Sequence, residues 1–192
     1  MDIEKVEKEW SEMSKNIVIV NGSPRKNGNT EILVDAFIEG AKESGNAITK
    51  FNVGAMKING CTDCQYCFSH PGECVQKDGM TEIYSALYNA DMLVLASPVY
   101  CFGMSAQLKT MLDRMYVAAS KAFPITTSAL LVTYGDTDTT VVEPTVSHYK
   151  AIIKYIGWED RGIITQPGVL NKGDIKGHLS LAKARELGSS VQ

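Results

Sequence analysis

The sequence predicts an α/β protein with a doubly wound, five-stranded parallel sheet and helices on both faces. Three observations lead there. NIVIV at 16–20 and MLVLA at 92–96 are short continuous apolar runs, the pattern of strands buried on both faces. Between such runs apolar residues recur at helical spacing. A breaker-rich segment, NGSPRKNGNT at 21–30, separates the first run from the first helical stripe.

The elements follow in order. After the strand Asn16 to Val20, a helix is expected through Ile32, Leu33, Ala36, Phe37 and Ala41, with Gly45 just past its end. Ala47 to Val53 reads as the second strand, and Met80, Ile83, Tyr84 and Leu87 mark a second helix. Met92 to Ala96 is the third strand, expected to break at Ser97-Pro98. Leu108, Met111, Leu112 and Met115 form a third stripe, Ser128 to Thr133 a fourth strand, and Tyr134 to Thr140 a polar loop. Val146, Tyr149, Ile152, Ile153 and Ile156 make the fourth helix, Arg161 to Thr165 the last strand and Leu179 to Leu187 the last helix. Alternation of strand and helix demands right-handed crossovers and hence a parallel sheet. Five strands with a ligand-type loop directly after the first favour the flavodoxin-like order 2-1-3-4-5, which sets the loops at Gly22 and Ser97 against one crevice.

The 192 residues suit one such domain over 16–192, with a cysteine-rich loop at 58–80 and an N-terminal extension at 1–15. That extension is charged, with a short amphipathic stripe of Val6, Trp10 and Met13, and lacks the apolar core of an export signal. A net charge of −3 without long basic runs argues against nucleic acid, and no apolar stretch has the length of a membrane span. A cytoplasmic address is expected. In that reducing compartment grouped cysteines read as metal-binding or redox groups rather than disulfides.

The loop at 21–30 leaves a buried strand and feeds a helix start, where unpaired N–H groups and the positive end of the dipole suit a phosphate. Gly22 and Gly28 allow close backbone approach, Ser23, Asn29 and Thr30 offer short polar donors, and Arg25 adds charge. Five residues separate the two glycines and no Lys-Ser/Thr follows, so the loop is not a Walker motif, and it holds no G-x-G-x-x-G. A plain turn is the competing reading.

Four of the five cysteines, Cys61, Cys64, Cys67 and Cys74, crowd one loop, three at x2 steps and the fourth six residues on. Three close thiolates can wrap one face of an iron–sulfur cubane while the fourth closes it, whereas zinc favours two Cys-x2-Cys hooks split by a longer spacer. The spacing favours iron–sulfur over zinc, with free thiols as the third alternative.

With these residues in view, NGSPRKNGNT at 21–30 and ASPVYCFGMSAQLKTMLDR at 96–114 resemble the flavodoxin-like NAD(P)H-dependent FMN reductases, and the cysteine loop ending CVQKDGM resembles their iron–sulfur flavoprotein subgroup. The subgroup's usual ending has two acidic residues before the methionine; here the residues are Asp78-Gly79-Met80. The resemblance implies FMN, held without a covalent bond. Ser23, Arg25, Asn29 and Thr30 would take its phosphate, and Pro98, Val99, Tyr100, Cys101, Phe102 and Gly103 would lie beside its ring. Thr133, Tyr134, Gly135 and Asp136 would line the other edge. It also implies a [4Fe–4S] cluster on Cys61, Cys64, Cys67 and Cys74.

The expected activity is a flavin oxidoreductase that carries electrons from NAD(P)H or a reduced carrier, through FMN, to a quinone, a flavin or another small acceptor. No protein acid or base is needed for it, because the flavin carries the chemistry. The rival is an electron-transfer module partnered with ferredoxin, and a redox-sensing protein is a third reading. A homodimer or homotetramer is expected. Lys109 and Asp113, at i,i+4, read as a structural pair, and His70 as an exposed loop residue.

Overall fold

The structure is a computed structural model that describes residues 14–192. The expected stripe of Val6, Trp10 and Met13 lies outside the described residues. Strands β1 (Asn16–Asn21), β2 (Ala47–Asn52) and β3 (Met92–Tyr100) interleave with helices α1 (Asn29–Glu43), α2 (Tyr66–Ser69) and α3 (Met80–Leu87). A two-residue strand β4 (Gly103–Met104) leads into α4 (Ala106–Arg114). Then come β5 (Thr127–Thr133), α5 (Glu143–Ile156), β6 (Glu159–Gln166) and α6 (Leu179–Ser189).

The main sheet runs β2-β1-β3-β5-β6, every pair parallel, which is the 2-1-3-4-5 order once short β4 is set aside. Alternate residues of the buried strands face opposite layers. Val18, Val20, Leu93, Leu95, Leu130 and Val132 pack with the helices α3, α4 and α5, whose Leu87, Met111 and Tyr149 lie in the same apolar cluster. Ile17, Ile19, Met92, Val94, Ala129 and Leu131 pack with Leu33, Phe37 and Ala184 of α1 and α6 on the other face. Both faces are therefore dry, which is why these strands read as unbroken apolar runs rather than alternating ones. Helices α1 and α6 meet backbone to backbone. A Cβ at Gly188 would stand 2.1 Å from the Phe37 carbonyl oxygen, so only glycine fits there.

Two expectations need correction. Strand β3 does not break at Ser97-Pro98 but continues to Tyr100. Its neighbour β1 ends at the Asn21–Ala96 pair; at Ser97 and Pro98 β3 keeps only β5, with Pro98 opposite Thr133, before Val99 and Tyr100 pair with β4. One flank of β3 is free there, and a proline without an N–H costs nothing on a free flank. Tyr134, expected in a polar loop, is instead 4 % exposed and packs in the core, while the loop beyond it stays open. The last strand was the least distinct in the sequence because β6 is an edge strand, largely half-exposed, and carries a bulge opposite Ser128 and Ala129. No described helix is long and apolar enough to cross a membrane.

Candidate functional site

The carboxyl ends of β1, β3 and β5 carry three loops that are bonded to one another. Gly22 N–H donates to the Ala96 carbonyl at 2.8 Å, and the Ser105 hydroxyl donates to the Gly22 carbonyl at 2.8 Å. Ser105 also caps α4 by accepting from Leu108 N–H, and its own N–H donates to the Ser97 hydroxyl at 2.9 Å. The Thr30 and Thr133 hydroxyls meet at 2.7 Å, tying the first loop to the third. Sequence reasoning missed Ser97 and Ser105, yet these two buried hydroxyls hold the crevice together.

At the loop between β1 and α1, no side chain caps α1, so its first N–H groups are open for a ligand. Ser23 is buried, accepts from Arg25 N–H at 3.3 Å, and is held from behind by Gly54, where a Cβ would stand 2.2 Å from the Ser23 carbonyl oxygen. Arg25 is exposed, with its Nη1 on the Leu170 carbonyl at 2.9 Å. Asn29 does not fit the role expected of its side chain. Its Nδ2 donates to the Val169 and Asn171 carbonyls, and its Oδ1 accepts from Gly173 and Ile175 N–H. That amide is fully used in lashing the 169–175 loop to the start of α1, which leaves only the backbone N–H of Asn29 for an anion. Glu31, in the first turn, is pushed up by burial but held below its ordinary pKa by the Asn27 N–H and by Lys50 at 3.2 Å. Lys50 thus offsets a negative charge that opposes anion binding.

At the other end, Val99–Tyr100 pairs antiparallel with Gly103–Met104, and Cys101 and Phe102 form the two-residue turn. Both have positive φ, 47° and 62°, where a hairpin ordinarily uses Asn-Gly. The Phe102 carbonyl accepts from Thr145 of α5 at 3.4 Å, and Phe102 itself is 61 % exposed. Pro98, Val99 and Gly103 are half-buried around it. Strain at an exposed aromatic turn beside a crevice is the kind that persists at binding sites. On the far edge, Thr133 is buried and Gly135 packs on Leu170. Asp136 closes its own turn by accepting from Asp138 N–H.

The four cysteines of the loop line one pocket together with Arg114, Tyr84, Gln76 and Tyr116, and the space they bound, counted out to solvent, is about 380 Å³. None of the four is in a disulfide. Among the described residues no three Cys, His, Asp or Glu side chains stand close enough to hold a single metal ion. Cys67 is pushed above the ordinary thiol pKa by burial and by the charges of Cys74, Cys61 and Cys64. The short helix α2 and two turns of positive φ, at Asp63 and Gln65, bend the loop around this space. His70 stacks on Tyr66 at 3.9 Å and is exposed, as expected.

Beneath the pocket lies a group that sequence reasoning missed. Arg114 is 2 % exposed and forks onto Asp78, with Nη1 to Oδ2 at 2.8 Å and Nη2 to Oδ1 at 3.3 Å. Asp78 also accepts from Asn59 and Met80 N–H, so this single carboxylate starts α3 without the second acid seen in the related motif. Burial pushes Asp78 up, but Arg114 and these N–H groups hold it below the usual carboxylate range. A signal was there to read: Arg114 falls three residues after Met111, on the apolar stripe that starts at Leu108. Lys109 and Asp113 form the expected exposed pair, at 2.5 Å.

An iron–sulfur flavoprotein of Archaeoglobus fulgidus is 44 % identical over 94 residues, which cover 49 % of this chain and 42 % of that relative. An iron–sulfur flavoprotein of Methanocaldococcus jannaschii is 37 % identical over 53 % of this chain and 51 % of its own length. The chain thus spans about half the length of the curated relatives it matches. Among solved structures, the NAD(P)H:quinone oxidoreductase from Methanothermobacter marburgensis superposes with a TM-score of 0.77 at 19 % identity, over 93 % of this chain and 96 % of that one. An FMN-dependent NADH-azoreductase from Bacillus anthracis, in complex with FMN, gives 0.68 at 18 %, over 90 % and 97 %. Those two likenesses are of fold alone. Residues 15–149 match the model of the NADPH-dependent FMN reductase family, and the chain belongs to that family.

Proposed function

We propose that the crevice binds FMN and that the chain is a cytoplasmic flavin oxidoreductase. It would draw electrons from NAD(P)H or a reduced carrier and deliver them to a quinone, a flavin or another small acceptor. The observation that carries this reading is the bonding of three loops into one crevice, with an uncapped helix start at one end and a strained aromatic turn at the other. Ser23, Arg25, Thr30 and the backbone N–H of Asn29 would take the phosphate. Tyr100 and Phe102, with the backbone of Pro98, Val99, Cys101 and Gly103, would lie along the ring, and Thr133, Gly135, Asp136 and the backbone of core-packed Tyr134 along its far edge. When bound, FMN supplies the two-electron to one-electron chemistry that no side chain here provides. The exposed turn leaves room for a nicotinamide to approach and then give way to an acceptor.

Cys61, Cys64, Cys67 and Cys74 would hold a [4Fe–4S] cluster, which would supply one-electron transfer to a carrier such as ferredoxin. The shared pocket of four thiols favours, as a second reading, an electron-transfer module with no substrate of its own. An apolar groove lined by Leu112, Met115, Phe123, Ile152, Ile156 and Trp158 suits a homodimer contact.

Anaerobic purification followed by an absorption spectrum, iron and sulfide analysis, and NADH or NADPH oxidation with a quinone tests both readings. Flavin bands with turnover support the oxidoreductase. Flavin and iron without turnover support the electron-transfer module. Failure to bind added FMN removes the first reading outright.

Phe102→Gly separates strain from use. Relief of a positive-φ, non-glycine turn is expected to stabilise the fold by about 1 kcal/mol, read as a higher denaturant midpoint. Removal of the aromatic ring is expected to weaken FMN binding about tenfold, within the range of one aromatic interaction. Unchanged FMN affinity would remove Phe102 from the ring site.

A further inference from the structure

Arg114 binds the two ends of the cysteine loop at once. Its Nη1 donates to the Asn59 carbonyl at 2.8 Å, ahead of Cys61, and its Nη2 reaches the Gln76 carbonyl at 3.4 Å, behind Cys74. Asp78 completes the neck by accepting from Asn59 N–H at 3.0 Å, and Gln76 Nε2 donates to the Gly60 carbonyl at 2.9 Å. Of the ion pair, Arg114 lines the thiol pocket and Asp78 does not. The guanidinium is nearly sealed from water, yet its Nε–H has no acceptor among the described residues. A buried donor without a partner is costly, and such groups are rare enough to need a reason.

We propose that Arg114 is a positioning residue for the iron–sulfur group of this pocket, closing the neck of the loop and offering Nε–H to a sulfur atom bound there. The inference rests on the reading of Cys61, Cys64, Cys67 and Cys74 as cluster ligands. The guanidinium has two separable effects. Its fork fixes the spacing of the thiolates at the two ends of the loop, so it governs how long iron is retained. Its charge and its N–H favour the more negative, reduced form of the cluster, so they raise the reduction potential. Because Arg114 ends the helix that Ser105 begins, it also joins the cysteine loop to the same rigid element that braces the crevice.

The test uses the full chain, reconstituted anaerobically with iron and sulfide and loaded with FMN. Arg114→Lys keeps the charge and removes the fork. Its cluster is expected to lose iron to a chelator about tenfold faster than wild type, the usual scale for removing a group that supports a metal ligand, with a potential lowered less than in the double variant below, because the charge stays while the Nε–H donor goes. The double variant Arg114→Gln with Asp78→Asn removes both charges and so leaves no buried ion unpaired. It should lose iron as fast and show a more negative midpoint potential, while FMN binds as in wild type and so reports an intact fold. A double variant that binds FMN but retains iron at an unchanged potential would overturn the proposal. Faster iron loss with no change of potential would overturn the sulfur interaction and leave the fork alone. A wild-type chain that takes up no iron and sulfide would overturn the cluster reading itself, and this proposal with it.

Discussion

Asp78→Ala is expected to destabilise the protein by about 3–5 kcal/mol, the cost of leaving a buried charge without its partner. Arg114 is 2 % exposed and cannot turn to water, and Asp78 supplies both ends of its fork. The same substitution also strips the cap from Met80 N–H and frees Asn59. The loss should appear as a lower urea midpoint, with the cysteine loop opening to protease first. The pH dependence has a definite sign. The folded pKa of Asp78 is depressed, so the stabilisation is fully present above its unfolded value of about 3.9 and disappears as pH falls through the lower folded value. The gap between wild type and Asp78→Asn should therefore hold from neutral pH to about 4 and close below it. A gap that is already closed at neutral pH would deny the pair its role.

The sheet was legible because burial on both faces leaves strands as apolar runs, and runs survive in the sequence. Its continuation through Ser97-Pro98 was not, because a proline reads as a breaker unless one knows that β1 has already ended at Asn21. The crevice loops were legible from glycines and short polar residues next to a helix start. The role of Asn29 was not, since an amide facing a ligand and one facing a loop 140 residues away have the same local sequence. In the cysteine loop the thiol spacing was visible, but its neck is made by backbone carbonyls of Asn59 and Gln76. Carbonyls are present at every residue and carry no sequence signal. Only the arginine that binds them could have been noticed, as a charge on an apolar helical face.

Gly22→Ala is expected to abolish useful FMN binding while leaving a folded protein. A Cβ there would stand 2.6 Å from both the Leu108 Cβ and the Ser105 Oγ, and both groups belong to the cap and first turn of α4. Neither can yield cheaply, because Leu108 is fully buried and Ser105 is bonded to the Gly22 carbonyl and to Leu108 N–H. Overpacking of this kind costs about 1–3 kcal/mol, which a sheet with two dry faces should survive. The loop must then move away from α4, and the Ser105–Gly22 hydrogen bond, which joins the loops after the first and third strands, breaks before any other. A shift that breaks one hydrogen bond to a charged phosphate costs about 1.5–3 kcal/mol, which weakens binding by about 10- to 100-fold. Titration of the apoprotein with FMN, followed by flavin fluorescence, reads this directly. Ser105→Ala provides the comparison, because it removes this bond and the α4 cap without adding bulk, and should give a smaller loss. Wild-type FMN affinity in Gly22→Ala would mean that the phosphate does not sit on this loop.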